Sequence, residues 1–130
     1  MLTAATLDAA ADEGLASLTM DGHWALQLAS KFDGIIDISQ TTRSGSHQFR
    51  YPDIMDEFTR LERTFSDTPV VLIHGANISS IQRNRGVFVT IADPGGLRSR
   101  ADALAWCADH FPEVTYDRIN VCYPRRLRLD

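Results

Sequence analysis

The chain has 130 residues, of which 44% are hydrophobic and 23% are charged, a composition typical of one ordinary globular domain. The formal net charge of −4 argues against nucleic-acid binding, which calls for a basic surface. No apolar run approaches the roughly 20 residues that a membrane-spanning helix needs, and residues 1–8 lack the basic start and apolar stretch of a signal peptide. We therefore expect a single soluble domain over residues 1–130 that does not enter a membrane.

The chain contains two cysteines, Cys107 and Cys122, which fall in a predicted helix and a predicted strand. We expect both to be small buried hydrophobic side chains rather than a disulfide or a metal-binding pair. Unpaired cysteines fit a reducing compartment, so the sequence predicts a cytoplasmic location.

The charge is unevenly distributed. Residues 1–75 carry eleven acidic and five basic side chains, whereas residues 76–130 carry six acidic and eight basic ones. Twelve of the thirteen basic residues are arginine, and Lys31 is the exception. A GC-rich genome explains this excess, and so does a need for planar guanidinium groups that bind carboxylates or phosphates. Composition leaves both explanations open.

The N-terminal third predicts a helix and then a β-hairpin. Residues 3–13 are rich in alanine, and Gly14 lies where such a helix would end. The pair Asp21-Gly22 suits a type I′ turn, and every second residue from Trp24 to Leu28 is apolar. The alternative is a helix over residues 23–32, in which apolar residues also recur at every fourth position.

The middle of the chain predicts a strand, a polar loop, a helix and a second strand. Residues 34–39 form a short apolar run typical of an interior strand, and residues 40–50 form a long polar loop. Pro52 suits the first turn of a helix, whose apolar face would consist of Ile54, Phe58, Leu61 and Phe65. Residues 70–73 are apolar on both faces, as in a central strand of a parallel sheet.

The C-terminal part predicts a strand, a helix and a last strand. Residues 87–91 alternate as a strand does, after a polar stretch with one helical turn at residues 78–82. The helix that follows would bury one face made of Leu97, Ala101, Leu104, Ala108 and Phe111. Residues 119–123 predict a half-buried strand, and residues 124–130 an exposed basic tail.

From residue 34 the predicted order is strand, helix, strand, strand, helix, strand, which is the ferredoxin-like β-α-β-β-α-β order of an α+β domain. The strands at residues 34–39 and 70–73 would then be parallel neighbours with a right-handed crossover. The alternative is an α/β arrangement, a STAS-like or doubly wound open sheet. Either arrangement hosts many unrelated functions.

A ligand site is predicted where two loops leave the carboxyl ends of these parallel strands. The loops at residues 40–50 and 74–80 carry imidazole, guanidinium, hydroxyl and amide groups that could bind an anion or move a proton. The candidates are Arg43, Ser46, His47, Arg50, His74 and Asn77. Ordinary turn-forming loops have the same polar composition, so the pattern does not require a ligand.

No motif specifies a reaction. The four histidines are never spaced as a helical metal-binding pair, so no metal and no cofactor are expected. Asp37 lies inside an apolar run, where a carboxylate needs a partner. Gly95 and Gly96 precede a predicted helix, but they match no phosphate-binding motif.

The sequence therefore predicts a non-catalytic assembly or partner-binding domain that associates with itself or with another protein. The last strand would pair edge to edge across a dimer, and the arginine-rich tail would bind an acidic partner. The residues proposed for this contact are Arg118, Tyr123, Arg125, Arg126 and Arg128. The alternative is a small enzyme or an anion-binding domain that uses the two polar loops.

Overall fold

The computed structural model describes residues 3–80, 86–114 and 117–130. Over these ranges the structure contains three helices and four strands, together with two short 3₁₀ turns at Gly75–Asn77 and Arg118–Asn120. In chain order the elements are α1 (Ala4–Ser17), β1 (Trp24–Lys31), α2 (Tyr51–Thr64), β2 (Val70–His74), β3 (Phe88–Ala92), α3 (Arg100–His110) and β4 (Tyr123–Arg126). The helical turn predicted at residues 78–82 lies partly outside the described residues.

The four strands form one sheet in the order β2-β3-β1-β4. All three pairings are antiparallel, so the chain is a small α+β domain. The prediction of parallel neighbours is wrong. It assumed a first strand at residues 34–39, and the first strand is β1 instead.

Residues 34–39 do not join the sheet. Ile36 forms only an isolated antiparallel bridge with Gln48. The side chains of Ile36 and Ile38 are 67% and 83% exposed, so the predicted interior strand is wrong. Asp37, between them, instead lies 3.3 Å from the Lys31 ammonium. A short apolar run therefore does not predict a strand reliably when its central residue is a carboxylate that forms an ion pair outside the sheet.

The predicted hairpin is also wrong, although its second half is a strand. Residues 18–20 lie outside any strand, and β1 pairs with β3 and β4 instead. The turn at Asp21-Gly22 joins α1 to β1, and Gly22 has a φ of +86°. The alternative helix over residues 23–32 is not formed. The alternation of Trp24, Leu26 and Leu28 had the right period for β1, but it could not identify the partner strands.

α1 continues through Gly14, where the sequence predicted its end. The register of β2 and β3 turns the backbone N–H and C=O of Leu72 away from β3. Gly14 packs directly against this outward-facing backbone. α1 thus covers the outer edge of β2, and β2 is an edge strand rather than the predicted central one.

The two predicted helices α2 and α3 are confirmed, but their buried faces differ in part from the prediction. Ile54, Leu61 and Phe65 are buried as expected, and Glu57 is buried with them. In α3 the buried residues are Ala103 and Cys107, whereas the Leu104 side chain is 44% exposed. The Ser99 side chain caps α3 by accepting the Asp102 backbone N–H at 3.1 Å.

Cys107 and Cys122 form a disulfide, so the prediction of two unpaired cysteines is wrong. Both are buried beside Leu26 and Leu28 in the core between the sheet and the helices. The bond joins α3 to the residue before β4, and the two cysteines are 15 residues apart in the sequence. The argument for a reducing compartment rested on unpaired cysteines, and it no longer holds.

The predicted exposed tail is confirmed only in part, since four of its seven residues are exposed and the other three are buried or half-buried. β4 spans Tyr123–Arg126, so it begins four residues and ends three residues after the strand predicted at residues 119–123, and Ile119 is exposed. Leu127 is fully buried and packs with Ile73, Val89 and Ile91 on the sheet face opposite α2. Only residues 128–130 are exposed beyond the sheet. In the part of the chain that the structure describes, no helix is both long and apolar enough to cross a membrane.

Candidate functional site

The two histidines of the predicted ligand site, His47 and His74, contact different parts of the molecule. The His47 Nδ1–H donates to the carbonyl oxygen of Gln40 at 2.8 Å. His74 lies at the end of β2, with Nε2 3.6 Å from Asp12 of α1 and its ring 5.3 Å from that of Phe88. The predicted pocket between the two loops has lost its geometric basis, because it required parallel strands. A ligand role for either histidine stays a prediction.

Arg43 and Arg50 are both paired with acidic residues. Arg43 lies 3.0 Å from the Asp56 carboxylate, and Arg50 lies 3.3 Å from that of Asp33. Arg43 reaches α2, so the ion pair joins the loop at residues 40–50 to that helix.

Ser46 and Asn77 stabilise local turns. The Ser46 hydroxyl accepts the backbone N–H of Gln48 at 3.0 Å. The Asn77 side-chain oxygen accepts the backbone N–H of His74 at 3.0 Å. Both contacts are those of ordinary turn residues.

Sequence analysis missed a buried charge cluster, the Lys31 cluster, formed by Lys31, Asp37 and Glu57. The Lys31 ammonium lies 3.3 Å from each carboxylate and 4.8 Å from the centre of the Phe49 ring. Lys31 and Glu57 are only 4% and 7% exposed. The only lysine of the chain therefore sits at the junction of β1, the loop at Asp37 and α2.

Burial of the charged groups of the Lys31 cluster carries a free-energy cost in folding. Burial raises the pKa of Glu57, and the attraction of Lys31 only partly offsets that effect. Buried ion pairs are often no more stable than apolar side chains of the same size. A buried carboxyl group with a raised pKa beside a cleft is a feature of functional sites, although structural ion pairs also produce it. The sequence contained one indication that Glu57 is buried. Glu57 follows Ile54 by three residues and precedes Leu61 by four, which places it on the apolar face of α2.

A cleft of about 450 Å³ lies over Glu57, between α2 and the loop at residues 41–43. We call it the α2 cleft. Its lining combines an aromatic ring, two hydroxyl groups, three carboxylates and three guanidinium groups, from Thr41, Thr42, Arg43, Phe49, Asp53, Asp56, Glu57, Arg60 and Arg63. Arg43 is the only one of the predicted ligand residues that lines it. α2, rather than the loop at residues 74–80, forms the opposite wall.

A second feature, the arginine surface, lies at the β4 edge of the sheet. It surrounds a shallow cleft of about 210 Å³. Its side chains are those of Trp24, Arg100, Tyr123, Arg125, Arg126 and Arg128, with Asp130 as the one carboxylate residue. Four of the five residues predicted for partner contact thus come together. Arg118 is apart from them, since its Nε–H donates to the Phe111 carbonyl oxygen at 3.1 Å.

Protein contacts hold several of these guanidinium groups in place. The Arg126 Nε–H donates to the Gly22 carbonyl oxygen at 2.7 Å, and its guanidinium lies 5.6 Å from the Trp24 ring centre. The guanidinium of Arg100 lies 5.8 Å from the Tyr123 ring centre. Sequence analysis missed Arg100 and Trp24, because they come from α3 and β1 and only the fold brings them to β4.

Near this surface, His23 joins the turn before β1 to the end of β3. Its Nε2 lies 2.8 Å from the Asp93 carboxylate, and its Nδ1 contacts that of Asp21. Burial lowers the pKa of His23, but the hydrogen bonds with Asp21 and Asp93 outweigh this effect and leave the pKa raised.

Within the described ranges, no three His, Cys, Asp or Glu side chains are grouped as metal ligands would be.

Comparison with protein-family models, with curated proteins and with solved structures finds no match to this chain. The functional argument therefore depends on the geometry of the Lys31 cluster, the α2 cleft and the arginine surface.

Proposed function

We propose that the chain is a non-catalytic partner-binding domain whose arginine surface binds an acidic protein segment. One observation carries this proposal. In the parts of the chain that the structure describes, the four arginines that meet at this surface form no ion pair and share it with a single carboxylate residue, Asp130. Arg60, Arg63 and Arg118 also form none there, but Arg60 and Arg63 line a cleft with three carboxylates and Arg118 lies apart. Guanidinium groups that lack a carboxylate and are held in place lose little entropy when they bind one.

The chemistry of the surface favours an acidic protein over a nucleic acid. The chain has a net charge of −4, which repels a polyanion as a whole. A guanidinium group lies over one face of each aromatic ring, Arg126 over Trp24 and Arg100 over Tyr123, which leaves less aromatic surface for stacking with bases. A short acidic segment requires neither a basic molecule nor open aromatic rings.

Contact through side chains is favoured over pairing of strand edges. The register of β1 and β4 turns the backbone of Pro124 and Arg126 towards the outer edge. Proline has no N–H to donate, and the Arg126 carbonyl oxygen already accepts the Arg128 N–H at 2.9 Å. Short edges with proline and charged residues resist strand addition.

A second copy of the chain offers a suitable acidic segment. α1 carries Asp8, Asp12 and Glu13 and no basic residue. It lies at the β2 edge of the sheet, whereas the arginine surface lies at the β4 edge. We propose that α1 of one copy contacts the arginine surface of the next, a head-to-tail contact that forms rings or chains.

The test compares two charge reversals of equal size. Arg100→Glu with Arg128→Glu alters the arginine surface, and Arg50→Glu with Arg98→Glu makes the same change in net charge outside both the arginine surface and the α2 cleft. Sedimentation velocity measures self-association, and fluorescence anisotropy measures binding of a polyglutamate peptide at low and high salt. We expect the first pair to weaken association at least tenfold and the second to leave it nearly unchanged. Equal effects of both pairs would contradict the proposal, since net charge alone would then explain them.

We also propose that the chain has the ferredoxin-like arrangement. From β1 onwards its elements follow the order strand, helix, strand, strand, helix, strand, as that arrangement requires. The antiparallel pairings and the central position of β1 and β3 support this assignment. α1 is then an addition that covers one edge. An experimental structure with a different strand order would contradict it.

A further inference from the structure

The carboxylates that line the α2 cleft all have partners within the protein. Asp53 accepts the Arg50 backbone N–H at 2.9 Å, and Asp56 lies 3.0 Å from Arg43. Glu57 lies 3.3 Å from Lys31. Asp56 and Glu57 are therefore paired with basic groups outside α2, and the Asp53 carboxylate is bonded to an uncharged backbone N–H.

The basic groups of α2 differ from its acidic groups in their contacts. Arg60 and Arg63 line the cleft, and the structure assigns neither of them an ion pair in the ranges that it describes. They are three residues apart on a helix, so their side chains project from the same side. Two neighbouring guanidinium groups at the wall of a cleft attract an anion, because each can donate two parallel hydrogen bonds to it.

We propose that the α2 cleft binds a small organic anion, with Arg60 and Arg63 contacting its phosphate or carboxylate group. A volume of about 450 Å³ is within the range of sites for small molecules. The Thr41 side chain supplies a hydroxyl group in the loop at residues 41–43, whereas the Thr42 hydroxyl accepts the Ser46 backbone N–H at 3.2 Å and the Phe49 ring is buried beneath the cleft. This site is separate from the arginine surface, and it does not depend on the proposed function.

Glu57 couples the site to protonation. Its surroundings are Lys31 and Arg60, which favour its charged form, and Asp37, which disfavours it, while burial raises its pKa. The other charged groups of the cleft are Arg43, Asp53, Asp56 and Arg63. A bound anion is a further negative charge near Glu57, so it opposes ionisation and stabilises the protonated carboxyl group. Because linkage is reciprocal, protonation of Glu57 strengthens binding of the anion.

The test uses the full chain labelled with ¹⁵N, titrated separately with inorganic phosphate and with citrate at constant ionic strength and pH 7.5. We expect saturable shifts of the backbone amide signals of residues 41–43 and 57–63. Arg60→Ala with Arg63→Ala should weaken binding at least tenfold. Arg50→Ala with Arg98→Ala, which removes the same charge at two exposed arginines outside both the α2 cleft and the arginine surface, should leave it unchanged. Saturation by only one of the two probes would identify the anionic group of the ligand.

Two results would overturn the site. One is a set of shifts that does not saturate with either probe, and the other is equal binding by the two double variants. Glu57→Gln provides an independent check, since it mimics the protonated carboxyl group and should tighten binding several-fold at pH 7.5. Unchanged or weaker binding in a Glu57→Gln protein with the wild-type melting temperature would also contradict the site.

Discussion

Gly14 in α1 lies so close to Leu72 in β2 that a methyl group on Gly14 would overlap the Leu72 carbonyl oxygen. The helix can therefore lie flat against the outward-facing backbone of the edge strand. This contact leaves the β2 edge covered and the β4 edge as the open side of the sheet. The arginine surface is at that open side.

Gly14→Ala should destabilise the protein by about 1–3 kcal/mol, the usual cost of overpacking, or by more if the backbone of β2 must move. The sign of the change in the free energy of unfolding is informative, because a glycine-to-alanine substitution within a helix ordinarily stabilises a protein by roughly 0.5–1 kcal/mol. Urea unfolding measures the effect. Ala9→Gly at an exposed position of the same helix is the control, and it should cost only about 1 kcal/mol. A more stable Gly14→Ala protein would show that α1 does not cover this edge.

The Cys107–Cys122 disulfide should contribute about 3 kcal/mol to the free energy of unfolding, the value expected for a loop of about 15 residues, which is the separation of the two cysteines. Unfolding by guanidinium, with and without a reductant, measures this contribution. The double substitution Cys107→Ala with Cys122→Ala should give a similar loss, and that variant should not respond to the reductant. A wild-type midpoint that the reductant leaves unchanged would mean that the disulfide adds no stability.

The local pattern of the chain predicted much of its secondary structure. The spacing of Ile54, Leu61 and Phe65 is that of α2, and the apolar runs at residues 70–73 and 87–91 become β2 and β3. The apolar pattern gave wrong predictions of a strand or of a buried face where the structure depends on contacts with residues elsewhere in the chain. The apolar run at residues 34–39 predicted a strand, but Asp37 is paired with Lys31 outside the sheet. The apolar spacing of α3 predicted a buried Leu104, but the helix buries Cys107, which is bonded to Cys122.

The candidate sites could be predicted only in part, for the same reason. Arg125, Arg126 and Arg128 are neighbours in sequence, so their cluster was visible. Trp24 and Arg100 join them only through the sheet and α3. The Lys31 cluster requires three separate elements, and only the burial of Glu57 on the apolar side of α2 had a local signal.

The contacts of His23 predict a pH dependence of stability. The pKa of His23 in the folded protein is raised above its ordinary value of 6.5, so the stabilising effect of its ion pairs is complete below that value. It is lost as the pH rises through the raised pKa. We expect His23→Gln to be less stable than wild type by about 0.5–1 kcal/mol near pH 5.5, as for a partly exposed ion pair. The difference should be smaller at pH 9, and urea unfolding across this range measures it. A difference that grows with pH would contradict the assigned contacts.

The Lys31 cluster gives the last prediction. Lys31→Met leaves Glu57 buried without its counter-ion, so it should destabilise the protein by about 3–5 kcal/mol at neutral pH. The pKa of Glu57 is already raised and should rise further, so the loss should be smaller near pH 5, where Glu57 binds a proton more readily. Lys31→Met combined with Glu57→Met removes both charges and should recover most of the stability, since Asp37 is partly exposed to water. Urea unfolding of the three proteins at pH 5 and pH 8 measures these differences. If the double variant is no more stable than Lys31→Met, the loss comes from packing around the lysine chain rather than from an uncompensated carboxylate.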